Sequence, residues 1–187
     1  SVMAFIENHD TDRFLGNGRD SLMLKQALAL LLTVNRIPQL YYGTEIMMNG
    51  TKEVTDGNVR QDFPGGFPGD AHSAFTREGR TRQEQQMFGW LSRLLHWRQG
   101  NEVITRGTMK QFIPYNGIYV IARQLAPSSQ TVLTILNGTS KPATMAVNRY
   151  AEVIGSTVRA KDVLTGRYYD LTKDLPLKPR QSLVLEY

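Results

Sequence analysis

The chain contains no cysteine. That excludes disulfides, thiolate nucleophiles and cysteine-ligated zinc, but it does not fix a cellular compartment. Long hydrophobic runs are also missing: none reaches the ~18 residues that a membrane-spanning helix needs, so no membrane partner is expected. Excess charge is small, 22 Lys+Arg against 17 Asp+Glu over 187 residues, a net +5. The basic residues are scattered, and the tightest group, Arg77, Arg80 and Arg82, sits beside Glu78 and Glu84. Nucleic-acid binding usually shows a basic stripe with interleaved aromatics, so no nucleic-acid partner is expected either. Hydrophobic residues make up 41% of the chain, enough for a packed core.

What is present falls into two grammars. Val2-Met3-Ala4-Phe5-Ile6 is a continuous apolar run, the pattern of a strand buried on both faces. It stops at the polar cluster Glu7-Asn8-His9-Asp10. Asp20 or Ser21 can cap a helix, and from Leu22 to Val34 only Lys25, Gln26 and Thr33 interrupt an apolar segment. Such a helix must be covered on more than one side. Ile37 to Tyr42 reads as a second short strand, and residues 43–80 as a long irregular stretch rich in Asn-Gly, Asp-Gly and Pro-Gly turns. Thr81-Arg82-Gln83-Glu84 matches a capping box, Met87, Phe88, Leu91, Leu94 and Leu95 follow at helical spacing, and Gly100 closes that helix.

From Asn101 onward short β-type segments dominate. Met109–Ile113 and Ile118–Gln124 flank Tyr115-Asn116-Gly117, a hairpin signal. Thr131–Leu136, Ala143–Val147, Ala160–Leu164, Arg167–Leu171 and Gln181–Glu186 follow, the third pair turned by Thr165-Gly166. Turn signals at this spacing predict an antiparallel β-sandwich or sheet. Ser1 runs directly into a strand of buried type, so the chain is expected to be cut from something longer.

Polar residues at the C-terminal end of a parallel strand sit where α/β folds build their sites. By residue type, Asp10 and His9 can bind sugar hydroxyls, ligate a metal or act as acid and base; a self-satisfied loop is the plain alternative. Arg60 and Asp62 either line a cleft or pair with each other. Phe63, Phe67 and Phe75 can stack on sugar rings or pin the loop. Trp90 and Trp97, seven apart on one helix, read as packing residues. Asn49-Gly50-Thr51 and Asn137-Gly138-Thr139 fit the glycosylation acceptor pattern, each more simply a turn. His72 and His96 show no ligand spacing, and no metal site is identifiable.

Phe5-Ile6-Glu7-Asn8-His9-Asp10 resembles the F-x-x-N-H-D motif at the seventh barrel strand of the α-amylase family, glycoside hydrolase family 13. Arg36 to Glu45, R-I-P-Q-L-Y-Y-G-T-E, is similar to the G-x-P-x-x-Y-Y-G-x-E signature at its eighth strand. The segment from Asn58 to Phe67 resembles the neopullulanase and cyclomaltodextrinase branch. The resemblance implies the last two β/α units of a TIM-type (β/α)8 barrel over residues 1–100, followed by an antiparallel β-sandwich C-terminal domain over residues 101–187. At about 250 residues a complete barrel does not fit this length.

The resemblance also implies roles. Asp10 matches the third family carboxylate, which stabilises the transition state; His9 matches a histidine that contacts the same sugar, and Asn8 orients the loop. Arg60, Asp62 and Phe63 are the further substrate-binding candidates. The nucleophile and the proton donor that a retaining glycosidase needs have no counterpart among these residues, so the chain alone is expected to be inactive. The implied substrate is an α-glucan oligosaccharide: maltodextrin, cyclodextrin or pullulan. No cofactor is implied; calcium would belong to the parent, with no site identifiable here. A bacterial periplasmic or extracellular setting is expected over the cytoplasm. A non-catalytic glucan-binding or packing module and a transglycosylase of the same clan are the alternatives. Arg36 and Met47 depart from the glycines usual in the family. The expected partner is the rest of the parent chain; the isolated chain is expected either to associate with a second copy through residues 1–50 or to have that region disordered, and a monodisperse monomer with a well-ordered first half would contradict this.

Overall fold

A computed structural model describes residues 2–187; Ser1 lies outside the described residues. The described residues form two compact units, one up to Leu24 together with Arg36–Arg93, the other Lys25–Asn35 with Leu94–Tyr187. This division is not the simple split near residue 100 expected from the change of grammar: the later parts of two helices group with the C-terminal unit.

In the first unit, β1 (Met3–Ala4) starts the described chain and α1 (Ser21–Thr33) follows, its Met23 N–H donating to Asp20 Oδ1 at 2.8 Å. That is the expected carboxylate cap. β2 (Ile37–Pro38) pairs with β1 in parallel, Met3 opposite Ile37 and Ala4 opposite Pro38. Both strands are far shorter than the apolar runs that mark them. Val2, Met3, Phe5 and Ile37 are 65%, 57%, 44% and 53% exposed, contrary to the expectation of burial on both faces. In a two-stranded sheet each strand keeps one edge unpaired, and among the described residues no third strand joins this sheet.

The long stretch after β2 contains a 3-10 turn, Thr44–Ile46, and a helical turn, α2 (Asp56–Val59), capped by the Thr55 hydroxyl, which accepts from Asn58 N–H at 3.1 Å. α3 (Arg82–Arg98) opens with the predicted capping box. Glu84 N–H donates to Thr81 Oγ1 at 3.2 Å, and Thr81 N–H donates to Glu84 Oε2 at 2.7 Å. Two backbone donors at the helix start are thereby satisfied. Trp90 is buried, as packing requires.

The second unit is built on a six-stranded antiparallel sheet. After the short helix α4 (Glu102–Arg106) come β3 (Thr108–Gln111), β4 (Ile118–Gln124), β5 (Thr131–Asn137), β6 (Ala143–Met145), helical turn α5 (Ala151–Ile154), β7 (Arg159–Asp162), β8 (Tyr168–Asp170), β9 (Leu175–Leu177) and β10 (Ser182–Glu186). Sheet order is β3-β4-β5-β10-β7-β8, with β6–β9 as a separate antiparallel pair. The β3–β4 hairpin turns at Asn116 and Gly117, both left-handed at φ 48° and 73°, which is the two-residue geometry that Asn-Gly favours.

Every residue of β5 is buried. Alternate residues on one face, Val120, Ala122, Leu133, Ile135, Leu183 and Leu185, join Met145, Tyr150, Leu175 and Leu177 in one core. The opposite face meets the later part of α1: Thr134 Oγ1 donates to Thr33 Oγ1 at 2.9 Å. The layer opposite the large sheet is thus small, one two-stranded sheet and two short helical turns, Val147–Tyr150 and α5.

Two guanidiniums bind the last carbonyls of α1. Arg98 Nε donates to Leu32 O at 3.0 Å, and the wholly buried Arg123 donates to Thr33 O at 3.0 Å, Gly107 O at 2.7 Å and Thr108 O at 3.3 Å. The negative end of the helix dipole favours cations there. Burial nevertheless pushes both arginines below their usual range, and Arg98 adds repulsion at Arg123. Trp97 Nε1 donates to Glu186 at 2.9 Å. Asn137, the last residue of β5, is fully buried and its amide donates to Lys141 O and Lys178 O, both at 2.8 Å, so the acceptor-like triplet is a strand end and the bend after it rather than a turn. α4 and the proline-containing β9 carry no clear sequence signal.

Candidate functional site

The site lies wholly in the first unit, where β1 delivers residues 7–12 and the segment after β2 delivers residues 52–63. Beneath it is a buried polar knot. Glu7, 2% exposed, accepts from Phe14 N–H at 2.5 Å and from the Thr44 hydroxyl. Arg13, 1% exposed, lies 3.5 Å from Glu7 and donates to Val59 O at 3.1 Å and Tyr42 O at 2.6 Å. Its guanidinium also stacks 4.0 Å from the Tyr41 ring centroid. A buried ion pair needs such added partners to repay desolvation. The knot ties the chain after β1 to the chain after β2. Burial, as the leading cause, raises the Tyr41 hydroxyl above its ordinary value.

Above the knot the polar cluster turns outward. Asn8 Oδ1 accepts from Asp10 N–H at 2.8 Å, a side-chain turn that fixes the loop. His9 Nε2 stands 3.1 Å from Asp10 Oδ2, and both side chains are more than 60% exposed. Arg60 reaches the same group from 50 residues away: Nη2 lies 3.0 Å from Asp10 Oδ1, while Nε donates to His9 O at 2.9 Å. Asp56 joins Arg60 at 3.2 Å and Lys52 at 3.2 Å. Lys52 in turn donates from Nζ to Asp10 O at 3.2 Å and from its backbone to Asp12 at 2.7 Å. That backbone bond, ahead of the one from Asn17, lowers the Asp12 carboxyl below its ordinary value. The structure therefore gathers Asn8, His9, Asp10 and Arg60 into one exposed constellation.

Asp62 behaves otherwise. Arg60 does not pair with it, and among the described residues it has no side-chain hydrogen bond or ion pair; it is exposed. Asp10, 50 residues away, and Asp56, four residues away, take the guanidinium instead. Phe63 packs on Phe75 at 4.7 Å between ring centroids, and Phe67 and Phe75 are about 60% exposed. Sequence reasoning passed over Arg13, Thr44, Lys52 and Asp56. Lys52, Asp56 and Arg60 recur at four-residue spacing, the signal that could have marked them. His72 Nε2 sits 3.1 Å from Glu84, outside this cluster. No group of three or more metal-ligating side chains occurs among the described residues, and none of their helices is long and apolar enough to cross a membrane.

An exposed carboxylate oriented by a guanidinium, beside an imidazole, suits a ligand rich in hydroxyls: the carboxylate accepts, and the imidazole and guanidinium donate. Comparison with known proteins gives the following similarities. Residues 109–186 match the family described as the cyclo-malto-dextrinase C-terminal domain. An α-amylase of Niallia circulans is 28% identical over 170 residues, covering 88% of this chain and 29% of that protein. A cyclomaltodextrin glucanotransferase of Geobacillus stearothermophilus is 33% identical over 138 residues, covering 74% of this chain and 17% of the other. The crystal structure of α-amylase from Geobacillus thermoleovorans, complexed with acarbose, shares the fold with a TM-score of 0.71 at 23% identity, over 98% of this chain and 38% of that one. The chain thus spans less than a third of the length of either sequence relative.

Proposed function

We propose that this chain, which belongs to the α-amylase family (glycoside hydrolase family 13), carries one wall of an α-glucan-cleaving site. The observation that carries the reading is the His9–Asp10 pair, exposed at the end of a parallel strand and joined to Arg60. In this reading residues 1–100 are the last two β/α units of a barrel and residues 101–187 its antiparallel C-terminal domain. Asp10 is the transition-state stabiliser. Its anion accepts hydrogen bonds from the hydroxyls of the sugar at the scissile bond, and those bonds strengthen as the ring gains positive charge. His9 contacts the same sugar, Asn8 holds the turn, Arg60 stands behind Asp10, and Asp62 and Phe63 extend the wall.

Retaining hydrolysis also needs a nucleophile and an acid about 5–5.5 Å apart. These residues offer no motif for either, so the 187 residues by themselves bind without cleaving. A second reading, that the parent transfers glucan chains rather than hydrolysing them, is favoured by the similarity to cyclomaltodextrin glucanotransferases. Cyclic products from the complete protein on maltodextrin would select it, linear ones the hydrolase.

The test is titration of the purified chain with maltotetraose and with β-cyclodextrin, followed by amide chemical shifts. Perturbations confined to residues 8–12 and 56–63, with affinity lowered about tenfold or more in Asp10→Ala, a loss of at least ~1.4 kcal/mol, are expected. Binding indifferent to Asp10→Ala would overturn the site, and turnover abolished by that change would overturn the inactivity.

A further inference from the structure

We infer that Lys52 and Arg60 form a clasp that sets the position of Asp10, so that Arg60 serves the sugar site as a positioning residue rather than by its own contact with glucan. Four donors from residues 52–60 reach residues 9–12: Arg60 Nε to His9 O, Arg60 Nη2 to Asp10 Oδ1, Lys52 Nζ to Asp10 O and Lys52 N to Asp12 Oδ1. Two of them end on the carbonyls of His9 and Asp10. They therefore act on the path of the loop itself and not only on a side chain.

Asp56 holds both cations of the clasp, one on each carboxylate oxygen. It starts α2, whose cap fixes it. The segment is also anchored at its base. Arg13 N–H donates to Gly50 O at 3.0 Å, and Gly50 lies so near Asn58 that a Cβ there would stand 2.2 Å from the Asn58 carbonyl.

A carboxylate offers about four lone-pair positions. Arg60 and His9 take one on each oxygen of Asp10, leaving each oxygen able to accept from a sugar hydroxyl. The clasp orients the carboxylate without saturating it. Exposed ion pairs add little stability, so its loss should loosen the loop while the thermal midpoint stays in place. The inference rests on Asp10 being the group that grips glucan.

The experiment uses the intact chain with the variants Arg60→Met, Arg60→Lys, Lys52→Met, Asp10→Asn and the Asp10→Asn/Arg60→Met double. Maltotetraose affinity and the water-exchange rates of the Asp10 and Thr11 amides are read by NMR, with a melt of each variant as the folding control. Arg60→Met and Lys52→Met should speed amide exchange at least about tenfold with the melt unchanged. Arg60→Lys should restore part of the order. The double variant should bind maltotetraose no more weakly than Asp10→Asn, because residues acting through one group are not additive.

Additive losses would show that Arg60 meets the sugar independently and would overturn the inference, as would unchanged exchange in both clasp variants. If maltotetraose binds no form of the chain, the glucan reading falls, and amide exchange alone decides the clasp.

Discussion

In the second unit the central strands are buried on both faces, and even a fully buried guanidinium has three carbonyl acceptors. In the first unit strand residues such as Met3 and Ile37 are exposed, and the polar groups of interest are exposed ion pairs on loops. The difference separates two tasks. Stability comes from buried area and satisfied buried polar groups; ligand recognition needs polar groups that keep free valence toward solvent. Only beneath the site, at Glu7, Arg13 and Thr44, does the first unit use the buried-network logic of the second.

The comparison can be broken most sharply at Arg123. Arg123→Ala leaves the carbonyls of Thr33, Gly107 and Thr108 without their donor and opens a cavity, and should cost about 3–5 kcal/mol. A urea midpoint that hardly moves would mean that the guanidinium contributes little to the second unit's stability.

Thr81→Ala should cost about 1 kcal/mol, the usual worth of such a cap. The Glu84 side of the same box should make stability depend on pH. Burial raises the Glu84 carboxyl, but the bond from Thr81 N–H, followed by the His72 ring, outweighs it and holds the group below its ordinary value. A carboxyl lowered by folding stabilises above its unfolded value, and that stabilisation is lost as pH falls through the lowered one. Glu84→Gln should therefore flatten the acid limb of stability, whereas Thr81→Ala keeps the backbone donor and most of that limb; melts of both between pH 3 and 6 would expose the opposite.

The smallest effect should be a gain. Met47 sits at φ 62°, a left-handed conformation that L side chains resist, where the family usually has glycine. Met47→Gly removes roughly 1–2 kcal/mol of strain and costs roughly 0.5–1 kcal/mol of chain entropy. The net is a stabilisation of about 0.5 kcal/mol, readable as a small rise in melting temperature; a fall would show that Met47's packing matters more than its backbone.

Much of the fold was legible because it is written locally. The Asp20 cap, the Thr81–Glu84 box and the Asn116-Gly117 turn each need only neighbouring residues, and each forms as expected. Asn8, His9 and Asp10 were legible as a group for the same reason. Arg60 was legible as a candidate but not its partner, since Asp10 is 50 residues away and Asp62 stands nearer in sequence. The lengths of β1 and β2 were not legible, because an apolar run records an environment and a strand also needs neighbours to pair with.

By itself the sequence determined which side chains carry charge and where, which turns and caps can form, and the family to which the chain belongs. Only the tertiary structure decided that α1 ends under two guanidiniums, that Glu7 and Arg13 knot the loops together, and that Lys52, Asp56 and Arg60 close on Asp10. The physical reason is range. Caps and turns depend on bonds within a few residues, whereas these ion pairs and carbonyl contacts join segments tens of residues apart, and a linear pattern holds no distance between them.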